Sequence, residues 1–192
     1  MDFTSPLFIG NLVSLIACSI SAASGYVKSK NKTLIMQTIQ QAMSMTACII
    51  LQSPSGAVLN ALSVPRNLLA CKNKLNFPAK LILSILSGGF GLFFAISVCL
   101  QRQTFVLAGF LPIIPTILYT IFLDTEDPVK FKLLVIQMIT FWTIHDLFIQ
   151  SYTSSFFNLF QIIFSISAII RIRKEQKQEA EQHEPVKQET GV

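Results

Sequence analysis

Seven long apolar blocks divide this chain, and their length restricts the folds that it can adopt. The blocks run for roughly 17 to 23 residues, close to the ~20 residues that a helix needs to cross a ~30 Å hydrocarbon core. Lipid offers no water to satisfy the backbone, so long continuous blocks fit helices and not the alternating ~10-residue strands of a barrel. Charged residues make up only 13% of the chain, whereas soluble domains have about 25%. The sequence therefore predicts an all-α, polytopic membrane helix bundle with about seven transmembrane helices.

The predicted spans differ in how polar they are. The second carries a stripe of glutamines at Gln37, Gln40 and Gln41, and the third is short and contains Pro65 and Arg66. Both are expected to contact other helices rather than lipid. In chain order the predicted spans are Pro6–Val27, Thr33–Leu51, Ser55–Cys71, Ala79–Leu100, Thr104–Leu123, Val129–Ile149 and Ser154–Ile170.

Basic residues fall almost entirely on one side of these spans. Seven spans place thirteen lysines and arginines on one side and Arg102 alone on the other, while Arg66 lies inside a span. Because basic loops stay on the cytoplasmic side, the predicted N-terminus is outside and the C-terminus is in the cytoplasm. The thirteen residues are Lys28, Lys30, Lys32, Lys72, Lys74, Lys80, Lys130, Lys132, Arg171, Arg173, Lys174, Lys177 and Lys187.

The end of the chain has a different composition. From Glu175 onward it consists mainly of Gln, Glu and Lys, without apolar periodicity. Residues 174–192 are therefore predicted to form a polar cytoplasmic tail, either disordered or a frayed extension of the last helix. The transmembrane domain then covers residues 1–173.

Two short polar turns indicate an internal repeat. Gln52-Ser53-Pro54-Ser55 follows the second span and Gln150-Ser151-Tyr152-Thr153 follows the sixth, and at the same offset of 98 residues Asn60 falls on Asn158. Halves with an odd number of spans need a linker span if both are to enter the membrane from the same side. The prediction is a 3+1+3 arrangement of parallel three-helix repeats, at 6–74 and 104–172, joined by a linker helix at 79–100. Parallel repeats are a transporter construction with the site between the halves.

Asn60 and Asn158 are the leading candidates for solute contacts, since the repeat places them at equal depth in opposite halves. An Asn side chain offers two donors and an acceptor, which suits a neutral polar solute. The alternative is packing, because a lone Asn in a membrane helix often hydrogen-bonds to a neighbouring helix. Asn67 lies seven residues after Asn60, on the same predicted helix face, and joins the substrate-binding candidates.

Three ionisable residues are predicted at membrane depth, where such residues are functional candidates by default. Arg66 is close enough to the inner surface to extend its charge into the headgroup region, which is the favoured interpretation. The alternative makes it an inner gate or an anion contact, on a different helix face from Asn60. His145 and Asp146, near the outer mouth, either form a proton relay or occupy a hydrated helix end. Trp142 either lines the binding pocket or anchors its helix at the outer interface.

Prolines and glycines mark two of the spans. Pro112 and Pro115 are predicted to break the fifth helix near its middle and to act as a hinge. Gly88, Gly89 and Gly91 in the fourth span are not followed by the Lys-Ser/Thr of a phosphate loop. They therefore predict close helix contact or a bend.

Several of these residues together resemble a known family. They are the segment Gly56-Ala57-Val58-Leu59-Asn60-Ala61-Leu62, Arg66, Ile144-His145-Asp146, Asn158 and Ile169-Ile170-Arg171. Over nearly the whole chain apart from the tail they resemble the YgjV family of bacterial inner-membrane proteins, which implies a location and a fold rather than an activity. The architecture is similar to that of SWEET and PQ-loop transporters, whose third and seventh helices each supply a substrate-facing Asn; Asn60 and Asn158 match those positions. The PQ dipeptide is absent here, and only Pro112 and Pro115 match the hinge prolines of those transporters.

The sequence leaves two functions open. The leading one is a transporter or facilitator of a small neutral polar solute, and the alternative is a non-transporting structural or interaction protein of the inner membrane. An enzyme, a cofactor and a metal site are not expected, because the chain has no nucleophile motif and no metal-spaced His, Cys and carboxylate set. Its short basic clusters lack the aromatic interleaving of nucleic-acid sites. The expected partners are the lipid bilayer and the solute, and a homo-oligomer is left open.

Overall fold

The computed structural model describes residues 6–50, 54–102, 110–111, 113–148 and 152–183, and within these ranges it has seven α-helices. The predicted all-α fold class is confirmed. Five of the helices begin and end within three residues of the predicted limits. The helices are α1 (Pro6–Tyr26), α2 (Lys30–Ile50), α3 (Pro54–Cys71), α4 (Phe77–Arg102), α5 (Ile113–Phe122), α6 (Pro128–Phe148) and α7 (Tyr152–His183).

Three of these helices are long and apolar enough to cross a membrane by length and composition alone. They contain the segments Phe8–Tyr26, Phe77–Ser97 and Thr153–Glu181, in α1, α4 and α7. The other helices of the described ranges are shorter or carry more polar residues, and α2 and α3 are the ones for which the sequence predicted contact with other helices. The chain is thus a helical membrane protein.

The helices pack in a ring that follows the order of the chain. Each described helix contacts the next one, and α7 closes the ring by packing against α1. α2 therefore lies between α1 and α3, α6 lies between α5 and α7, and α4 separates α3 from α5. The α1–α7 contact is very close, because a β-carbon at Gly25 would lie 2.6 Å from the carbonyl oxygen of Gln161.

The glycines of α4 lie against α5 at two of three positions. A β-carbon at Gly91 would lie 2.9 Å from Cγ1 of Ile113, and one at Gly88 would lie 3.3 Å from Cδ1 of Ile117. Gly89 faces open space. The predicted close helix contact is therefore confirmed for Gly88 and Gly91.

Local capping explains where α3, α4 and α6 meet their loops. Asn73 adopts a left-handed conformation (φ 52°) just after α3, which suits the residue that follows a helix C-terminus. Asn76 accepts a hydrogen bond from the Ala79 amide at the start of α4, at 3.1 Å. The Asp127 carboxylate accepts from the Val129 amide at 2.8 Å, the usual role of an N-cap carboxylate.

Four contacts join the chain segments at one end of the bundle, here called the basic end. Lys28, in the α1–α2 loop, pairs with Glu175 of α7. Lys30 donates to the Thr125 carbonyl at 2.8 Å, and the Lys80 ammonium lies 2.6 Å from the Asp124 carboxylate. The Arg171 guanidinium lies over the Tyr26 ring, 3.7 Å from its centroid. These contacts bring the α1–α2 loop, the start of α4, the α5–α6 loop and α7 together.

The apolar core lies on the same side of the molecule as the basic end. It includes residues near the start of α2 and α6 and near the end of α3 and α5. Its buried members are Leu34, Ala70, Leu75, Leu83, Tyr119, Leu123, Phe131, Val135 and Ile139. The basic end of the bundle is therefore closed by packed side chains.

The last helix extends beyond the predicted membrane domain. α7 continues to His183, so the prediction of disorder is wrong for residues 174–183, where the alternative of a helical extension holds. Gln, Glu and Lys are good helix formers, and Lys177 and Glu181 form an i,i+4 ion pair at 3.7 Å that supports an exposed helix. Residues 184–192 lie outside the described ranges.

Candidate functional site

A polar cavity of about 260 Å³ lies inside the ring of helices. Side chains of α1, α2, α3, α5, α6 and α7 form its wall, and none of the described lining residues comes from α4. The cavity extends away from the basic end as far as Cys48, near the end of α2, and Ser154, in the first turn of α7. Ile139 belongs both to its wall and to the apolar core, so the core forms its floor.

Asn60 and Asn158 both line this cavity. Each lies six residues after the first residue of its helix, Pro54 in α3 and Tyr152 in α7, which corresponds to a depth of ~9 Å at ~1.5 Å per residue. The two amides thus lie at matched depths in helices on opposite sides of the ring. Both are half-buried.

Arg66 places a cationic group in the wall of the same cavity. Only 2% of its surface is exposed, so its charge stays inside the bundle and does not extend into the headgroup region, contrary to the favoured interpretation. The reason is local: its Nε donates to Oδ1 of Asn67 at 3.2 Å, and its guanidinium lies over the Tyr119 ring, 4.8 Å from the centroid. The long side chain therefore reaches the cavity that Asn60 also lines, although the two residues start from different helix faces.

Asn67 supports the cavity wall from behind. It is fully buried and is not among the lining residues. Its Nδ2 donates to Oε1 of Gln41 at 3.0 Å, while its Oδ1 accepts from Arg66. The structure thus gives Asn67 a positioning contact with Arg66 and not the exposed place beside Asn60 that the helix periodicity predicted.

Tyr119 connects α5 with α2 on the other side of Arg66. Its hydroxyl donates to Oε1 of Gln37 at 2.8 Å, and both side chains are almost completely buried. Gln37 lines the cavity, and its Nε2 has no hydrogen-bond partner among the described residues. Gln37 therefore has a buried amide donor without a partner among these residues, and both Gln37 and Arg66 contact Tyr119.

A second hydrogen-bonded group joins α7 to α1. Ser21 donates to Oε1 of Gln161 at 2.6 Å, and Nε2 of Gln161 donates to the Ser24 hydroxyl at 3.1 Å. Ser21 and Gln161 line the cavity at its end near the floor. These bonds fix the wall where the two helices are closest.

Lys132 lies between the cavity floor and the basic end. Its side chain is fully buried, and its ammonium donates to the carbonyl oxygens of Ser24 and Gly25 at 3.0 Å each and to the Thr33 hydroxyl at 3.3 Å. The two carbonyls belong to the last turn of α1, where a cation is favoured by the unpaired acceptors and the helix dipole. The charge pattern of the sequence predicts that Lys132 flanks the membrane with the other basic residues, whereas the structure buries it as a contact between α6 and the α1–α2 region.

The remaining predicted site residues are distributed as follows. Trp142 lines the cavity, half-buried. Pro115 is buried in the first turn of α5, where the missing N–H of a proline is tolerated. His145 and Asp146 lie in α6, but their side chains, like Pro112 as a whole, are outside the described residues.

Sequence reasoning did not select several residues of the cavity wall. The sequence pattern indicates only helix contact for the glutamines of α2, and it does not distinguish Gln161 of the wall or Tyr119, which contacts Arg66 and Gln37. These residues could have been found, because each is an isolated hydrogen-bonding side chain within an apolar span. Such side chains often bond to neighbouring helices in membrane proteins. What the sequence could not give was which of these side chains meet, since that depends on the packing of helices far apart in the chain.

One family of known proteins matches this chain. The model of the Imp-YgjV family, described as a bacterial inner membrane protein, matches residues 8–176. The chain belongs to the Imp-YgjV family. The match includes every described helix up to the polar extension of α7, and it sets the location of the protein in the bacterial inner membrane. No curated protein and no solved structure matches the chain, so the similarity of this Imp-YgjV protein to SWEET and PQ-loop transporters stays a prediction.

Proposed function

We propose that this Imp-YgjV protein is a transporter or facilitator of a small polar solute. The observation that carries the proposal is the polar cavity inside the helix ring, with Asn60 and Asn158 at matched depths in its wall. Both residues border this cavity and are half-buried, as contacts to a solute require.

The proposal includes the 3+1+3 arrangement of parallel repeats. Support comes from the helix ring, in which α1–α3 and α5–α7 are two triplets with the second helix of each in the middle and α4 between α3 and α5. The cavity is lined by both triplets but not by the described residues of α4, as a linker helix requires. In parallel-repeat transporters the solute site lies at such an interface.

The proposed orientation puts the basic end in the cytoplasm. Basic residues near the ends of spans favour that side. The α1–α2 loop carries Lys28, the α3–α4 loop carries Lys72 and Lys74, and the first turns of α2, α4 and α6 carry Lys30, Lys80 and Lys130. The cavity would then reach toward the outer side of the membrane, while the apolar core closes the inner side. A reporter fused after Val192 and active only in the cytoplasm checks this orientation, and activity of a periplasm-only reporter there would contradict it.

Uptake by purified protein in liposomes tests the proposed function. The solutes are small sugars, nucleosides, amino acids and organic acids, and the variants are wild type, Asn60→Ala/Asn158→Ala and the control Gln137→Ala, an exposed amide of α6 outside the cavity. We expect saturable uptake of at least one solute by wild type and control, and a reduction of about tenfold or more in the double variant, which loses two hydrogen-bonding groups.

Two outcomes would contradict transport. Uptake by wild type that never exceeds that of empty liposomes, for every solute, rules it out. A double variant that only melts at a lower temperature, in a protein without measurable uptake, favours instead the non-transporting structural or interaction protein of the inner membrane.

A further inference from the structure

The described residues of the cavity wall carry positive charge but no negative charge. Among the described lining residues Arg66 is the one charged group, and none of them is a carboxylate. In the described part of the chain, no Asp or Glu lies within ion-pair distance of its guanidinium. Arg66 keeps its charge in proteins, so the wall of the cavity is cationic.

The geometry around Arg66 holds the guanidinium without neutralising it. Its Nε is bonded to Asn67, and one face of the group is covered by Tyr119. Among the described residues, Asn67 alone accepts a hydrogen bond from the guanidinium, and it does so from Nε. The two terminal nitrogens are therefore the donors that remain for a bound molecule. A buried charge without an anionic partner is destabilising, and such a residue is a marker of a solute path in membrane proteins.

A second, independent observation indicates the same ligand chemistry. Nε2 of Gln37 is buried without a hydrogen-bond partner among the described residues, and Gln37 lines the same cavity. The Tyr119 hydroxyl occupies Oε1 of Gln37, so the amide presents a donor. Arg66 and Gln37 both contact Tyr119. The terminal nitrogens of Arg66 and Nε2 of Gln37 are hydrogen-bond donors without an acceptor among the described residues. A ligand at this place must supply oxygen acceptors.

The rest of the wall restricts the ligand further. Leu59, Met138, Ile139 and Trp142 add apolar and aromatic surface, which suits an organic body rather than a bare inorganic ion. The cavity volume of about 260 Å³ is slightly below that of sites for drug-sized molecules, at roughly 300 to 1,000 Å³. The ligand is therefore a small molecule.

We infer that the solute of this cavity is a small organic carboxylate, bound through its carboxylate group by Arg66 with Gln37 as a second donor. The planar guanidinium fork matches a carboxylate with two parallel hydrogen bonds. The amides of Asn60 and Asn158 then contact the other polar groups of the solute. This inference rests on the proposed function and replaces the neutral solute expected from the Asn pair alone.

The test compares ligand pairs that differ only in charge. Lactate with lactamide, and succinate with succinamide, are measured by the shift in melting temperature of the purified protein and by uptake into liposomes, with inorganic phosphate as a third probe. We expect each carboxylate to bind wild type at least tenfold more tightly than its amide, and phosphate to bind weakly. Equal affinity for carboxylates and amides, no binding of any carboxylate, or a preference for phosphate each overturns the inference.

Variants of Arg66 then assign the binding to this residue. Arg66→Gln should lose carboxylate binding by tenfold or more, and Arg66→Lys should lose less because it keeps the charge without the fork. Arg173→Gln, an exposed position of α7, is the matched control and should bind as wild type does. If Arg66→Gln does not fold, the comparison of carboxylates with their amides on the wild-type protein still tests the inference.

The two proposals fail in different ways. Uptake of a neutral solute that is unchanged in Arg66→Lys and Arg66→Gln leaves transport intact and overturns the carboxylate inference. Binding of a carboxylate that depends on Arg66, in a protein that moves none of the probes, supports the inferred site and contradicts transport.

Discussion

The ammonium group of Lys132 donates a hydrogen bond to the carbonyl oxygen of Gly25, at 3.0 Å, and so joins α6 to the end of α1 in the interior of the protein. The same group also bonds the Ser24 carbonyl and the Thr33 hydroxyl. One residue therefore satisfies three acceptors in a place without exposure to solvent.

Replacing Lys132 with Met should lower the stability of the folded protein. Met fills similar space but removes the donor from the Ser24 and Gly25 carbonyls, and each buried unsatisfied group costs about 1–3 kcal/mol. We expect a fall in melting temperature in detergent of about 4 °C or more, since 1 kcal/mol corresponds to about 2–4 °C for a chain of this size. Lys130→Met, at an exposed position of α6, is the control, and equal melting of both variants would contradict the role of Lys132.

Gly25 should tolerate no side chain. In Gly25→Ala the new β-carbon would lie 2.6 Å from the Gln161 carbonyl and 3.1 Å from Cβ of Phe164, so α1 and α7 must separate, at a cost of about 1–3 kcal/mol. Gly89→Ala meets no atom within 4 Å and should be neutral or stabilising by up to about 1 kcal/mol. The melting temperatures of the two variants test this prediction. If Gly25→Ala is as stable as Gly89→Ala, α1 and α7 are not in such close contact.

Two variants of Tyr119 separate the contributions of its hydroxyl and its ring. Tyr119→Phe removes the hydrogen bond to Gln37 and should cost about 1 kcal/mol. Tyr119→Leu also removes the ring beneath Arg66 and should cost more, by about 1–2 kcal/mol for a desolvated cation–π contact. Chemical or thermal unfolding in detergent measures both, and the same stability for Phe and Leu would mean that the ring does not stabilise Arg66.

The pair of Lys80 and Asp124 should give a small dependence of stability on pH. The hydrogen bond from Lys80 lowers the pKa of the Asp124 carboxyl below its usual value. The pair therefore stabilises the folded state above the unfolded pKa of ~3.9, and this contribution is lost as pH falls through the lower folded pKa. Because the carboxylate is largely exposed, the contribution is at most about 1 kcal/mol.

Asp124→Asn tests this contribution. The variant should melt slightly below wild type at pH 7, and the difference should narrow as the pH falls below about 4. Glu126→Gln changes an exposed carboxylate of the same loop and controls for the general effect of charge. A difference between Asp124→Asn and wild type that stays constant down to pH 3 would contradict the assigned ion pair.

The sequence predicted the helices well but the cavity only in part. Apolar block length and turn residues are local signals, and they set the limits of α1, α3 and α6 to within a few residues. Asn60, Asn158 and Trp142 could be selected because each is an unusual residue in an apolar span. The place of Arg66 could not be predicted from helix periodicity, since a long side chain reaches the neighbouring face when Asn67 and Tyr119 hold it there.

Lys132 is a second residue whose contacts could not be predicted from the sequence. Its position in a cluster with Lys130 is typical of a membrane-flanking loop, and that pattern hides a residue whose partners lie about a hundred positions earlier in the chain. Contacts over such separations depend on which helices become neighbours. Local patterns in a single sequence do not show which helices these are.

The close contact of α1 with α7 limits how the two triplets can move. The backbones meet there without an intervening side chain at Gly25, whereas α4 stands between the triplets on the opposite side of the ring. If the proposed transporter opens at its basic end, the α1–α7 contact must act as the hinge, and the two three-helix groups must separate at α4. A cross-link between α1 and α7 would leave this movement free, whereas a cross-link between α3 and α5 would prevent it.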